Sequence, residues 1–149
     1  MAARLLSKGI AEGKSLGKLA IDDMPHMALV ATAGSDSIIT DSANAASAYA
    51  TGHKTAVNAM GVYADRTASP FDDPKVETIA SLSKRRHGMA IGIVTNTEIE
   101  DATPAAMVVH TRRRAAYDEI VAQYFAAKPD VLMGGGAALR NVGPYIERQ

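Results

Sequence analysis

The sequence predicts an α/β fold, part of a mostly parallel sheet flanked by helices on both faces, and three observations carry that expectation. Short apolar runs of strand length, Met27-Ala28-Leu29-Val30-Ala31-Thr32, Met89-Ala90-Ile91-Gly92-Ile93-Val94 and Val131-Leu132-Met133, alternate with longer helical stretches. The second run is apolar almost without interruption, as in a strand covered on both faces. Polar, hydroxyl-rich and acidic segments follow the first two runs, where parallel sheets place their sites, outside the carboxyl ends of strands.

Taken in order, residues 2–12 read as a helix with Leu5, Leu6 and Ile10 on or near one face, ended by the Gly13 to Gly17 stretch. The strand at 27–32 turns at Ala33-Gly34-Ser35-Asp36, and Ile38-Ile39 then gives way to an alanine-rich helix. Asp73 as cap and Pro74 at the first helical position predict a helix carrying Val76, Ile79, Ala80 and Leu82, ended by Gly88. The strand at 89–94 delivers Thr95 to Asp101 at its carboxyl edge. Thr103 and Pro104 open a further helix that extends to His110, and Tyr117, Ile120, Val121 and Tyr124 stripe another before a strand enters Gly134-Gly135-Gly136.

Composition limits the function classes. The chain has 149 residues, 47% hydrophobic side chains, and 16 basic against 16 acidic residues, so no general nucleic-acid footprint is expected. It has no cysteine, which removes disulfides and thiolate metal sites. No apolar run approaches the roughly 18 residues of a membrane span, and residues 1–8 lack the order of a signal peptide.

Asp41-Ser42 heads the run Ala43-Asn44-Ala45-Ala46-Ser47, which puts one hydroxyl beside a carboxylate at a helix N-terminus. Free backbone N–H groups and the helix dipole favour an anion there, and a phosphate ester suits the place. Read alone, the pattern is more often a simple helix cap. Asp101 and Thr103 offer hard oxygens two residues apart, suited to magnesium, although Asp-x-Thr-Pro also caps helices. The triplet Arg112-Arg113-Arg114 reads either as a solvated basic terminus or as a planar fork for phosphate oxygens. His26 has Asp22 at the Asp-x-x-x-His spacing of a zinc site, but Pro25 spoils a helical presentation and it reads as a loop residue; His53 and His87 lack partners at ligand spacing and read as structural, and His110 as packing behind the site.

Two separated segments together resemble the alkaline phosphatase family: Asp41 to Ser47 with its continuation Thr51-Gly52-His53-Lys54 and Asn58-Ala59-Met60-Gly61, and Thr95 to Ala106 followed by His110 and Arg114. Asn44 stands where the family usually has a small residue, and Ser47 where threonine is commoner. The resemblance implies a phosphate monoester hydrolase in which Ser42 is phosphorylated and dephosphorylated and contacts one of two zinc ions. It implies that Asp101 and Thr103 hold magnesium and that Arg114 clamps phosphate, with Arg113 the fallback. It also implies that residues 1–149 are a partial domain lacking an upstream metal-binding strand and the C-terminal half, hence inactive alone. The intact protein is then expected to be periplasmic or secreted and homodimeric. The competing expectation is a non-catalytic phosphate-binding or interaction domain on the same scaffold. A sulfatase-like or phosphodiesterase variant is disfavoured by the match around Thr51 to Gly61.

Overall fold

The structure, a computed structural model, describes residues 2–14, 17–64 and 67–136; Glu147-Arg148-Gln149, with the rest of the C-terminus, lies outside them. The chain divides into two units, Met1–Ala31 and Thr32–Gln149.

In the first unit, helix α1 (Ala2–Ala11) forms as the spacing of Leu5, Leu6 and Ile10 predicts, and Gly13 follows at φ 67. A short 3-10 helix at Ala20–Asp23 is closed by the Asp22 carboxylate, which accepts from the Leu19 N–H at 2.8 Å. The strand expected at 27–32 is not formed. Residues 27–31 run without regular structure, with Met27 95% and Leu29 100% exposed. An apolar run becomes a strand only when its backbone finds a ladder, and among the described residues none pairs with it.

The second unit is α/β. Its elements are α2 (Ser42–Thr51), α3 (Ile79–His87), β1 (Gly92–Glu98), α4 (Ala102–Ala105), α5 (Tyr117–Ala127) and β2 (Val131–Gly135). Strands β1 and β2 pair in parallel, Gly92 opposite Val131 and Val94 opposite Met133, with a register shift before Glu98 meets Gly135. Parallel pairing requires a crossover, which residues 99–130 supply with α4 and α5. Strand β1 lies further along than the apolar run predicts: Met89 is 56% exposed, while the polar residues 95–98 continue the ladder. Within it Ile93 is buried and Val94 exposed, so it is not covered on both faces by the described residues.

Helices α2 and α4 pack together through small side chains. Ala43, Ala46 and Ala50 on one, and Ala102 and Ala105 on the other with Ala106 just beyond, are 2% exposed or less. Around them Met60, Ile91, Ile93, Val108, Val109, Ile120 and Tyr124 complete the core. Alanines let two backbones approach closely, so this contact fixes the relative position of two helix N-termini with little side-chain freedom to lose. Tyr124 is 1% exposed and donates from its hydroxyl to the Ile99 carbonyl at 2.8 Å, which ties α5 to the turn after β1.

The helix expected from Asp73 starts later. Residues 73–77 are taken up in extended pairing, with Tyr63 N–H on the Pro74 carbonyl and Val76 N–H on the Gly61 carbonyl, both at 2.8 Å. Thr78 caps α3 instead, accepting from Ser81 N–H at 3.2 Å, and Gly88 ends it at φ 63 as expected. Helix α4 is a single turn, so His110 lies beyond it in an extended segment rather than on a helix. Among the described residues no helix is long and apolar enough to cross a membrane.

Gly61 sits at a crossing of three segments. Its N–H donates to the buried Ser47 hydroxyl at 2.9 Å, and its carbonyl meets His110 Nδ1 at 2.7 Å. At φ 60, a Cβ here would lie 2.6 Å from the Val109 carbonyl oxygen and 2.7 Å from His110 Nδ1. Gly61→Ala is therefore expected to lower stability by about 1–3 kcal/mol from the left-handed backbone alone, with the clash added. A denaturant midpoint unchanged by that substitution would show that the crossing is looser than this.

Candidate active site

The N-terminus of α2 is built by a reciprocal cap. Asp41 has extended backbone angles, and its Oδ1 accepts from the Asn44 N–H at 3.1 Å. Asn44 returns its own Oδ1 to the Asp41 N–H at 3.1 Å. This gives Asn44, 2% exposed, a clear local role, while its Nδ2 has no partner among the described residues. Ser42 is thus the first helical residue and Asp41 the cap, so the Ser42 hydroxyl is not consumed in capping.

Asp41 does more than cap. The same Oδ1 accepts from the Asn58 N–H at 3.3 Å, and Oδ2 lies 3.0 Å from Arg114 Nη1. Asn58 takes a left-handed φ of 68, a conformation asparagine tolerates better than most residues. Sequence reading noted Asp41 only as the neighbour of the serine and gave Asn58 no role. Burial opposes ionisation of Asp41, but the Asn44 N–H, the Arg114 guanidinium and the Asn58 and Ala43 N–H groups outweigh it and hold the carboxyl below its ordinary range.

Arg114 is the centre of the arrangement. Its Nη1 donates to Ser42 Oγ at 2.7 Å and to Asp41, and its Nη2 donates to Asp101 Oδ1 at 2.9 Å. The backbone that places it is a short antiparallel tie. Met60 and Thr111 exchange N–H to carbonyl bonds of 2.7 and 2.9 Å, and Arg114 N–H reaches the Asn58 carbonyl at 3.0 Å. Sequence spacing left Arg113 as an alternative, but the structure turns Arg114 to the serine, and Arg113 is exposed.

Asp101 caps α4, its Oδ1 accepting from the Ala102 N–H at 2.7 Å. The capping reading and the ion-pair reading hold together at this residue. Its neighbour Glu100 is 4% exposed with Oε2 unpaired, and burial pushes its carboxyl up, assisted by the charges of Glu98 and Asp101. Thr103 is not brought to the serine. It is exposed and lines a separate cleft with Thr95, Pro104 and Met107, where its hydroxyl has no hydrogen-bond partner among the described residues. His110, half-buried, packs as expected; burial lowers its proton affinity, against the pull of the Gly61 carbonyl. His53 stacks edge-on against Tyr63 at 5.6 Å.

The serine thus stands at a helix N-terminus, held by an arginine that two helix-capping carboxylates orient. The sequence profile of the alkaline phosphatase family matches residues 1–141. The chain belongs to the alkaline phosphatase family. It is 33% identical over 156 residues to alkaline phosphatase of Escherichia coli strain K12, covering 88% of this chain and 31% of that protein. It is 35% identical over 160 residues to streptomycin-6-phosphate phosphatase of Streptomyces griseus, covering 91% and 33%. Among solved structures, a cold-active alkaline phosphatase from Shewanella sp. superposes with a TM-score of 0.69 at 30% identity over 82% of this chain and 29% of that one. A histidine-to-aspartate mutant of TAB5 alkaline phosphatase, with magnesium bound in its M3 site, gives 0.65 at 28% over 79% and 34%. The chain spans about a third of the length of the relatives it matches.

Asp41→Asn keeps a competent cap but removes the charge opposite Arg114, whereas Asp41→Ala removes both. The alanine variant is expected to be less stable than the asparagine variant by about 1 kcal/mol. Because the folded carboxyl titrates below its ordinary value, its stabilisation is complete above about pH 4 and is lost as pH falls through the folded value. Urea unfolding between neutral and acid pH is expected to show a shallower acid limb in Asp41→Asn; an unchanged limb would count against an ionised Asp41.

Proposed function

We propose that this chain carries the nucleophile and phosphate clamp of a phosphate monoester hydrolase that works through a phosphoserine at Ser42. The observation that supports it is the 2.7 Å bond from Arg114 to Ser42 Oγ, at a helix N-terminus whose cap is a neighbouring side chain.

In this reading the Ser42 hydroxyl gives up its proton to solvent and its oxygen attacks phosphorus as the ester oxygen leaves on the opposite side, and the alcohol departs with a proton taken from solvent. Water then attacks the phosphoserine from the face opposite the serine oxygen, the Oγ–P bond breaks, and inorganic phosphate and the free hydroxyl result. Two displacements at one phosphorus retain its configuration overall. Arg114 engages three of its five N–H donors with Asp41, Ser42 and Asp101, which leaves two for phosphate oxygens. The backbone N–H groups at the start of α2 add the positive end of the helix dipole.

Divalent metal, when bound, supplies positive charge that offsets the phosphate and eases ionisation of the serine hydroxyl. For magnesium the residues fit: Asp101 Oδ2 takes no hydrogen bond among the described residues, while Oδ1 is fixed by Arg114 and Ala102. Magnesium accepts one or two carboxylates and fills its remaining positions with water and phosphate. Asp101, with Thr103 as a second oxygen on the same turn, is the proposed holder. Zinc takes three or four protein ligands, and among the described residues no group of three His, Asp or Glu side chains could hold one. These residues do not fit zinc by themselves, and Ser42 is the contact they offer it. Export and dimerisation of an intact protein belong to the same proposal by family membership.

Hydrolysis of an aryl phosphate with zinc and magnesium tests the reading, on this chain and on a version extended to the relatives' full length. Ser42→Ala is expected to lower turnover in the active version by roughly 10³-fold or more and to abolish the acid-stable phosphoryl adduct on the peptide containing Ser42. Full turnover in that variant would end the assignment. Phosphate binding without metal and without turnover in any version would favour the non-catalytic reading.

A further inference from the structure

A cleft of about 480 Å³ is walled by Val57, Asn58, Ala68, Pro70 and residues 112–115. Its volume is that of a small-molecule site. It adjoins the serine site through Asn58 and Arg114, which belong to both. Three consecutive arginines line it, and among the described residues that line it none is a carboxylate.

The three guanidinium groups have different commitments. Arg114 serves Asp41, Ser42 and Asp101. Arg112 builds the opposite wall: its side chain donates to the Thr67 and Ser69 carbonyls, the latter at 2.9 Å, and lies 3.8 Å from the buried Asp73 carboxylate. Its N–H also binds the Pro70 carbonyl at 3.1 Å, so the wall is tied along both backbone and side chain. Arg113 alone of the three meets no acceptor with its side chain among the described residues. Its backbone is nevertheless fixed, the N–H on Thr111 Oγ1 and the carbonyl under the Ala116 N–H, each at 3.0 Å. A cation that meets no acceptor with its side chain among the described residues, anchored on the rim of a cleft whose other charged described lining residues are arginines, concentrates positive potential there, and a guanidinium matches both carboxylate and phosphate.

We propose that this cleft is a second anion subsite with Arg113 as its ligand, which selects phosphate monoesters whose leaving group carries a further carboxylate or phosphate. The inference rests on the proposed reading of Ser42 and Arg114 as the site of the phosphate that is cleaved.

Phosphonates, whose C–P bonds this chemistry does not cleave, serve as probes for calorimetric titration, in zinc and magnesium, of the version of the chain that hydrolyses the aryl phosphate. Methylphosphonate reports the primary site, and α,ω-alkanediphosphonates and ω-phosphonocarboxylates of increasing length report the second. At the length that spans both sites, binding is expected to be about tenfold tighter than for methylphosphonate. Arg113→Gln is expected to abolish that gain while leaving methylphosphonate affinity within about twofold, and Arg113→Lys to keep part of it. The two probe series show which of the two anionic groups the subsite prefers. A gain absent at every length, one that persists in Arg113→Gln, or an equal loss for both kinds of probe overturns the subsite while the primary site stands. Failure of methylphosphonate to bind overturns the primary reading, and the subsite falls with it.

Discussion

The carboxylate of Asp41 joins three stretches of chain that sequence keeps far apart. One oxygen receives N–H groups from Asn44 and Asn58, and the other faces Arg114. Each donor would be satisfied by water in the unfolded chain, so the net worth of any single bond is small. What makes the residue decisive is convergence: the helix start, the left-handed Asn58 and the arginine must all be in place for the carboxylate to be satisfied. Burial works against its charge, yet the hydrogen bonds prevail, and the group stays ionised where the arginine needs it.

That constraint explains why alanines dominate the interface behind it. Asp41 caps α2 and Asp101 caps α4, and the two helices meet through Ala43, Ala46, Ala102 and Ala105. Because those side chains are too small to separate the backbones, both caps fall within reach of one guanidinium. A larger residue in that stripe would have to separate the two helices, which strains the core and moves the two capping carboxylates apart. The small-residue run after Ser42 therefore belongs to the site's geometry as much as to helix packing.

Much of the site was legible in sequence, and the reasons differ by residue. Ser42 was readable because a carboxylate before an alanine-rich run is a helix start, and Gly88 because a left-handed cap favours glycine. The choice of Arg114 over Arg113 came from the family resemblance, and the structure shows the backbone tie between Met60 and Thr111 that turns Arg114 toward Ser42. Asn58 was missed because its part is played by a backbone N–H, which leaves no chemical mark in the side chain. The start predicted at Asp73 failed because the Asp-Pro signal is local, whereas pairing with residues 61–63 is not; Asp73 instead lies buried beside Arg112. Strand β1 extends into Thr95 to Glu98 because parallel pairing uses backbone groups and is indifferent to how apolar the side chains are. The run at 27–32 shows the converse: apolar character without a ladder makes no strand.

The charges at the site bear on what it can hold. Asp41, Asp101 and Arg114 together carry two negative charges and one positive. A phosphate dianion brought to the serine would meet a net negative group made by these three residues. The α2 dipole contributes the equivalent of about half a charge, too little to reverse the balance. The two carboxylates thus act as orienting groups that leave the arginine less cationic than it would be alone. Under the proposed function, phosphate at the serine would therefore draw on positive charge beyond Arg114, such as a divalent ion held by Asp101 would supply. In the proposed reading this deficit is what a divalent ion would offset, and it is also what gives Arg113, which meets no acceptor with its side chain among the described residues, its place in the further proposal.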